Sequence, residues 1–240
     1  MTIRPAAESR ARAARPYAPR PWDAAPRWET DSPALAPPRT LYARFGKRAL
    51  DLALGSVLLL LSLPVIAVAA LAVVVTSGWP AFYGARRLGR DGRPFTMWKL
   101  RTMRPDAEEL LERLLREDGA LALELKTRQK LARDPRVTLV GKLLRRASID
   151  ELPQLWNVVR GDMSLVGPRP YLRRDLSEAD EDILVVRPGM TGPWQVGGRH
   201  RLPPSTRVAL DRDYVRTMSF ARDLRLLLLT IRPLVRLDGV

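Results

Sequence analysis

Arg145-Arg146-Ala147-Ser148-Ile149-Asp150-Glu151-Leu152-Pro153-Gln154-Leu155-Trp156-Asn157 places two adjacent carboxylates just after two arginines and just before a proline. Proline has no N–H to donate, so it sits comfortably only in the first turn of a helix. Pro153 therefore predicts a helix that begins near Asp150, with both carboxylates at its positive end. There the helix dipole and the neighbouring guanidinium groups both favour the charged form of Asp150. An ionised, positioned carboxylate among arginines suits attack on a phosphorus whose anionic oxygens those arginines neutralise. Ser148-x-x-Glu151 also fits a capping box, a purely structural helix start worth about 1 kcal/mol. If Ser148 were the cap, Pro153 would fall at the fifth helical position and cost a hydrogen bond, which argues against capping.

Composition narrows the chemistry. The chain has 240 residues and a formal net charge of +15, so it can bury a sizeable core and should meet acidic partners. Nucleic acid, anionic lipid and phosphorylated substrates all qualify. There is no cysteine, which removes disulfides, thiolate catalysis and thiolate metal sites together. A single histidine, His200, leaves little room for a Ser-His-Asp triad or a multi-histidine zinc site. Carboxylates, lysines and arginines remain, with a hard oxygen-liganded metal such as Mg²⁺ as their natural helper.

Along the chain, residues 1–38 hold eight of the 21 prolines, with many alanines and scattered arginines. Such a segment buries too little apolar surface to offset its conformational entropy, which predicts a disordered basic tail, either drawn to anionic lipid or inert. Residues 52–85 carry no charge at all, and 52–75 is long enough to span a bilayer, for which roughly 20 apolar residues suffice. Pro64 sits at the centre of this run and would kink or break the helix at a cost of about 3 kcal/mol. Lys47 and Arg48 precede the run and Arg86, Arg87, Arg90 and Arg93 follow it. Positive charge on both flanks favours keeping both ends cytoplasmic, so a helix that enters, bends at Pro64 and returns is expected over one that spans. Asp91-Gly92 between two aromatic-rich runs predicts a β-hairpin. Helices are expected over 106–132, with a leucine stripe at Leu110, Leu111, Leu114 and Leu115, and over 137–146. Residues 161–170 and 187–199 read as loops, the first with Pro168 and Pro170 presenting Arg169. Residues 224–237 read as a leucine-rich terminal helix, interfacial or core-packed.

Taken in order, these segments resemble the bacterial sugar transferases, the monotopic polyprenyl-phosphate phosphoglycosyltransferases. The resemblance runs over about 44–237 and rests on several blocks: Lys47-Arg48 with Asp51, Arg87 and Gly89, Lys99 with Arg101-Thr102-Met103, Asp134-Pro135-Arg136-Val137-Thr138, Ser148 through Asn157, Gly161 through Pro170, and Pro188-Gly189-Met190-Thr191-Gly192. It implies an α-rich α+β fold: a re-entrant membrane helix, a small β-hairpin and a helical cytosolic catalytic domain with interfacial helices. The expected division is a disordered tail over 1–40, a membrane-associated helix over 44–79 and the phosphoglycosyltransferase domain over 80–240. The activity so implied moves a sugar 1-phosphate from a UDP-sugar to polyprenyl (undecaprenyl) phosphate and releases UMP. Asp150 would be the nucleophile, forming a phosphosugar-aspartyl intermediate, and Glu151 would join it in holding Mg²⁺. By the same resemblance Arg145, Arg169, Lys99 and Arg101 would bind phosphate. The expected location is the cytoplasmic face of the inner membrane, with an oligomer left open.

The sequence departs from the family pattern at Ala85, where Gln is common, at Leu63-Pro64, where Ser-Pro is common, and at Leu100, where Phe is common. Neither of the first two departures touches the carboxylates. Gly192-Pro193-Trp194-Gln195-Val196-Gly197-Gly198-Arg199 looks like the form found in hexose-transferring members that begin exopolysaccharide synthesis. Trp194, Gln195 and Arg199 are thus candidates for the nucleotide or sugar loop, and glucose or galactose is favoured over an N-acetylated amino sugar. Trp194 packing the loop is the plain alternative. Nucleic-acid binding is disfavoured because the basic residues flank an apolar run and carboxylates, with no aromatic platform. A non-catalytic membrane scaffold is disfavoured by the intact Asp150-Glu151 pair.

Overall fold

The computed structural model describes residues 39–117, 131, 134–197 and 203–235. The tail expected over 1–40 lies outside the described residues apart from Arg39 and Thr40, as do Arg199 and the second half of the helix expected over 106–132.

A π-helical turn at Tyr42–Gly46 leads into α1, Lys47–Ser77. Lys47, Asp51, Gly55, Ser62, Ile66, Ala69 and Val73 of α1 are buried and recur at three- and four-residue steps, so they line one face. Leu60, Leu61, Val68, Leu71 and Val75 are exposed. Among the described residues, Tyr42–Ser77 is the one helical stretch long and apolar enough to cross a membrane. The break expected at Pro64 is not seen as a break: α1 continues through it as a single element. Proline can kink a helix without ending it, because only one ladder hydrogen bond is lost. Two residues before Pro64 the Ser62 hydroxyl donates to the Leu59 carbonyl at 2.9 Å.

The expected hairpin forms from β1, Phe82–Leu88, and β2, Pro94–Leu100, paired antiparallel with Phe82 opposite Leu100 and Leu88 opposite Pro94. Its turn needs left-handed backbone at Asp91 (φ 57°) and Gly92 (φ 69°), the two residue types that tolerate it best. α2 covers Ala107–Glu117. α3 covers Leu139–Arg146, starting two residues later than the sequence suggested because Thr138 caps it, its hydroxyl accepting the Gly141 N–H at 2.9 Å. At Gly141 a Cβ would lie 2.0 Å from the Thr102 carbonyl oxygen, so only glycine lets α3 come this close to the strand's continuation.

α4 is Gln154–Arg160, followed by β3, Ser164–Val166, and β4, Gly189–Thr191. β3 and β4 pair in parallel, which revises the reading of 161–170 and 187–199 as loops only. Runs of three residues are too short to show the period of a strand. α5, Pro193–Gly197, α6, Pro204–Thr217, and α7, Phe220–Val235, complete the chain.

One core gathers Ala85, Phe95 and Met97 of the hairpin with Val158, Met163, Val166, Tyr214 and Val215. A second joins Ile66, Ala69 and Val73 of α1 to Leu100 and Leu144. Both cores pack against Leu152, just ahead of α4, in which the buried Asn157 accepts the Trp98 N–H at 3.0 Å and donates to the Thr96 carbonyl at 2.8 Å, in effect extending the sheet.

The N-terminal end of α1 is fixed by a buried ion pair. Lys47 Nζ donates to Asp223 Oδ2 at 2.6 Å, to the Val166 carbonyl at 2.8 Å and to the Tyr214 hydroxyl at 3.0 Å. Tyr42 and Tyr214 both donate their hydroxyls to the same carboxylate. Removing one partner of a buried pair leaves the other charge uncompensated, at a cost of about 3 to 5 kcal/mol. Asp223→Ala should therefore lower stability by that amount, read as an earlier denaturant midpoint for the detergent-solubilised chain.

Candidate active site

Residues Ile149–Glu151 form one 3-10 turn, entered through Ser148 in the left-handed region (φ 56°, ψ 20°). α4 begins only at Gln154, with Pro153 as its N-cap residue, so the helix start expected near Asp150 falls four residues later. The capping box is likewise not formed, since the Ser148 side chain makes no cap hydrogen bond. The proline does mark a helix start, as its missing N–H requires, but the carboxylates stand in the turn before it.

That turn puts Asp150 under the hairpin. Its side chain belongs to a residue only 7% exposed, whereas Glu151 is half-buried. Lys99 of β2 donates its ammonium to Glu151 Oε1 at 2.6 Å and acts by charge on Asp150 as well. Arg145, in the last turn of α3, faces Asp150 electrostatically, and its Nε is held by the Thr102 hydroxyl at 2.9 Å. Burial pushes the Asp150 carboxyl above the ordinary carboxylate range; Lys99 and Arg145 pull it down and Glu151 pushes it up. Desolvation thus outweighs the cations, contrary to the expectation that dipole and arginines would dominate. Asp150, Glu151, Lys99 and Arg145 are brought together from three separate segments.

Arg101 has a different place. Its Nη2 donates to the Ser77 carbonyl at 2.8 Å and to the Gly78 carbonyl, capping the C-terminal end of α1. A cation at a helix C-terminus is favourable on its own account. The geometry therefore engages Arg101 with the C-terminal end of α1.

Arg169 lies in another cluster. Its backbone N–H donates to Asp211 Oδ2 at 2.9 Å, and its guanidinium carbon sits 4.8 Å from the centre of the Trp194 ring. Asp162, the carboxylate that could have neutralised it, is engaged with Asn157 and Arg160 instead. Trp194 and Gln195 belong to α5, where Trp194 is buried. The loops carrying Arg169 and α5 approach closely: a Cβ on Gly189 would lie 2.1 Å from the Gly167 nitrogen. Reading the sequence alone missed Arg207 and Asp211, one helical turn apart on α6, and gave Arg87 no role at the site. No local signal marks them, because each meets Arg169 only through tertiary packing.

Among the described residues no group of three or more Asp, Glu, His or Cys forms a ready-made metal cage. The donors of Asp150 and Glu151 are hard oxygens, which suit Mg²⁺ of the kind that takes one or two carboxylates and completes its shell with water and substrate phosphates.

A family profile described as bacterial sugar transferase matches residues 42–236. The chain is 41% identical over 207 residues to the exopolysaccharide production protein ExoY of Rhizobium meliloti, covering 83% of this chain and 92% of that protein. It is 40% identical over 200 residues to an undecaprenyl-phosphate galactose phosphotransferase of Salmonella typhimurium, covering 82% of this chain and 42% of that protein. Similarity to a UDP-glucose:undecaprenyl-phosphate glucose-1-phosphate transferase of Caulobacter vibrioides is 40% over 209 residues, 80% of this chain and 71% of that protein. The chain thus spans less than half the length of several relatives, the Salmonella protein and an Erwinia amylovora UDP-galactose-lipid carrier transferase (42% covered) among them. With the matched region running from the π-helical turn to the end of α7, the chain belongs to the bacterial sugar transferase family.

Proposed function

We propose that this protein transfers a hexose 1-phosphate from a UDP-hexose to undecaprenyl phosphate, as the first membrane step of exopolysaccharide synthesis. The observation that carries the reading is the Asp150–Glu151 pair, buried against Lys99 and Arg145, in a chain whose relatives are named for this transfer. Attack by an Asp150 oxygen on the sugar-proximal phosphorus forms an acyl phosphate and breaks the bond to the bridging oxygen, which leaves with UMP. The lipid phosphate then attacks the same phosphorus, giving polyprenyl diphosphate sugar and restoring the carboxylate. Phosphoryl transfer depends mostly on positioning and charge neutralisation, the work assigned to Lys99 and Arg145, with Arg169 on a phosphate farther along the site. Asp150 and Glu151 are the residues suited to hold Mg²⁺, which when bound neutralises charge on the phosphate oxygens. The relatives, named as galactose and glucose phosphotransferases, favour a hexose over an N-acetylated amino sugar.

The proposed location is the cytoplasmic face of the inner membrane, with α1 dipping into the bilayer and returning. Support comes from α1 itself: its buried stripe from Lys47 to Val73 lies on one protein body along the whole helix. A straight span would carry that body into the hydrocarbon. Labels at Arg39 and at Arg113 should both report cytoplasmic exposure, whereas exposure of Arg39 on the opposite side would mean that α1 spans.

The detergent-solubilised chain, given polyprenyl phosphate and a panel of UDP-sugars, should release UMP from UDP-glucose or UDP-galactose. Preference for a UDP-N-acetylhexosamine would reverse the sugar assignment, and release from none would end the transferase reading. Asp150→Asn should abolish release without lowering the melting temperature; more than trace turnover would remove Asp150 as nucleophile. Because burial raises its pKa, the acid limb of kcat/KM should lie above that of a solvated aspartate, which is about 3.9. Lys99 opposes this shift, so Lys99→Gln should move the residual acid limb to still higher pH.

A further inference from the structure

Thr102 stands just beyond β2, three residues after Lys99, and is buried. It grips α3 at both ends. Its carbonyl accepts the N–H of Thr138, the N-cap residue, at 3.1 Å, and its hydroxyl accepts Nε–H of Arg145, in the last turn, at 2.9 Å. Between these contacts Gly141 meets the Thr102 backbone, where a Cβ would lie 2.0 Å from the carbonyl oxygen. Gly141 and Arg145 are four residues apart and so share the face of α3 turned toward Thr102. A β-branched side chain is stiff at χ1, so this backbone placement also sets where the hydroxyl stands.

An arginine in the last turn of a helix ordinarily bonds the helix's own final carbonyls or trails into water. Thr102 turns Arg145 aside from both. Two carboxylates lie within electrostatic reach of its guanidinium, Asp150 in the 3-10 turn and Asp134 ahead of α3. Asp134 is already engaged by Arg136, through Nε at 2.8 Å and Nη2 at 2.6 Å. Among the described residues, the Thr102 hydroxyl is the one hydrogen-bond partner of the Arg145 guanidinium. Holding Nε leaves the two terminal nitrogens, the fork that matches a pair of phosphate oxygens. An untethered guanidinium on a flexible stem must be ordered as the reaction proceeds, whereas a tethered one is ordered beforehand.

We propose that Thr102 is a positioning residue, which through its hydroxyl orients the Arg145 fork toward the oxygens of the phosphate that Asp150 attacks. The inference deepens the phosphosugar-transfer reading and rests on it for the ligand of Arg145; the contact between Thr102 and Arg145 does not depend on that reading. Both cations that face the carboxylates are then governed by one strand, Lys99 from within β2 and Arg145 through its continuation.

Thr102→Val keeps the shape of the side chain and removes the hydroxyl, whereas Thr102→Ser keeps the hydroxyl and removes a methyl group. UMP release from UDP-glucose and UDP-galactose is measured on the full detergent-solubilised chain with polyprenyl phosphate, kcat and KM separately, with melting temperatures alongside. Thr102→Val should lower kcat about tenfold or more and change KM for the UDP-hexose by less than about threefold, the pattern of a group misplaced in the transition state. Thr102→Ser should recover most of the lost kcat. In an Arg145→Gln background Thr102→Val should cost nothing further, because the hydroxyl has no guanidinium left to orient. If Thr102→Val does not fold, Thr102→Ala, which also lacks the hydroxyl, is read in its place.

A second measurement needs no turnover. The Arg145 Nε–H signal in a proton–nitrogen NMR spectrum, assigned by its loss in Arg145→Gln, should move in Thr102→Val and return to its wild-type place in Thr102→Ser. A wild type that shows this behaviour yet releases no UMP from any UDP-sugar keeps Thr102 as the residue that orients Arg145 and refutes the transferase reading. An unmoved signal overturns the proposal, and so does a folded Thr102→Val chain with wild-type kcat. Equal impairment of Thr102→Ser and Thr102→Val, or losses that add in full in the double variant, overturn it as well, since the hydroxyl would then not act through Arg145.

Discussion

A buried ammonium is among the most costly groups a protein can carry, and this fold is arranged around one. Lys47 stands at the first position of the apolar helix α1 and is shielded from water by elements far away in sequence. Its partner Asp223 is 176 residues distant, and the Val166 carbonyl that also accepts from it ends β3. Because an unpaired charge here would cost several kcal/mol, the long apolar helix α1, α7 and the β3–β4 pair are held in one arrangement. Asp51, one turn along α1, adds to this by accepting from the Ser164 hydroxyl and the Leu165 N–H, both at 2.9 Å. The same contacts set where β3 ends, and Arg169 follows three residues later.

The other end of α1 is fixed by similar means. Arg101 satisfies the helix's last carbonyls, and the strand before it carries Lys99 to the carboxylates. A helix whose outer face is bare and apolar is therefore tied at one end to Asp223 and the Val166 carbonyl and at the other to Arg101, two residues after Lys99. Residues on either side of Leu100 thus face different partners, Lys99 the Glu151 carboxylate and Arg101 the end of α1.

Electrostatics around Asp150 are a contest that burial wins. Burial raises the pKa of the Asp150 carboxyl, and the charges of Lys99 and Arg145 oppose that shift. At Asp211 too burial raises the carboxyl, against the Arg169 N–H, the Tyr171 hydroxyl and the Arg169 charge.

The chemistry of this protein was legible in its sequence wherever the cause is local. Asp150 and Glu151 are neighbours in the chain, the uncharged run over 52–85 needs no partner to be apolar, and Asp91-Gly92 bends the backbone by its own conformational preference. Pro153 marked a helix start for the same reason, although the carboxylates proved to occupy the 3-10 turn ahead of it. What the sequence could not disclose is what each charge faces. Four residues of one type, Arg101, Arg145, Arg169 and Arg207, cap a helix, face the carboxylate, and stack in pairs on Trp194. Their roles differ because burial and the choice of neighbour are properties of packed surfaces, made by residues tens or hundreds of positions apart. Composition set how much positive charge the protein has; only the tertiary structure decided where it is desolvated, and against what.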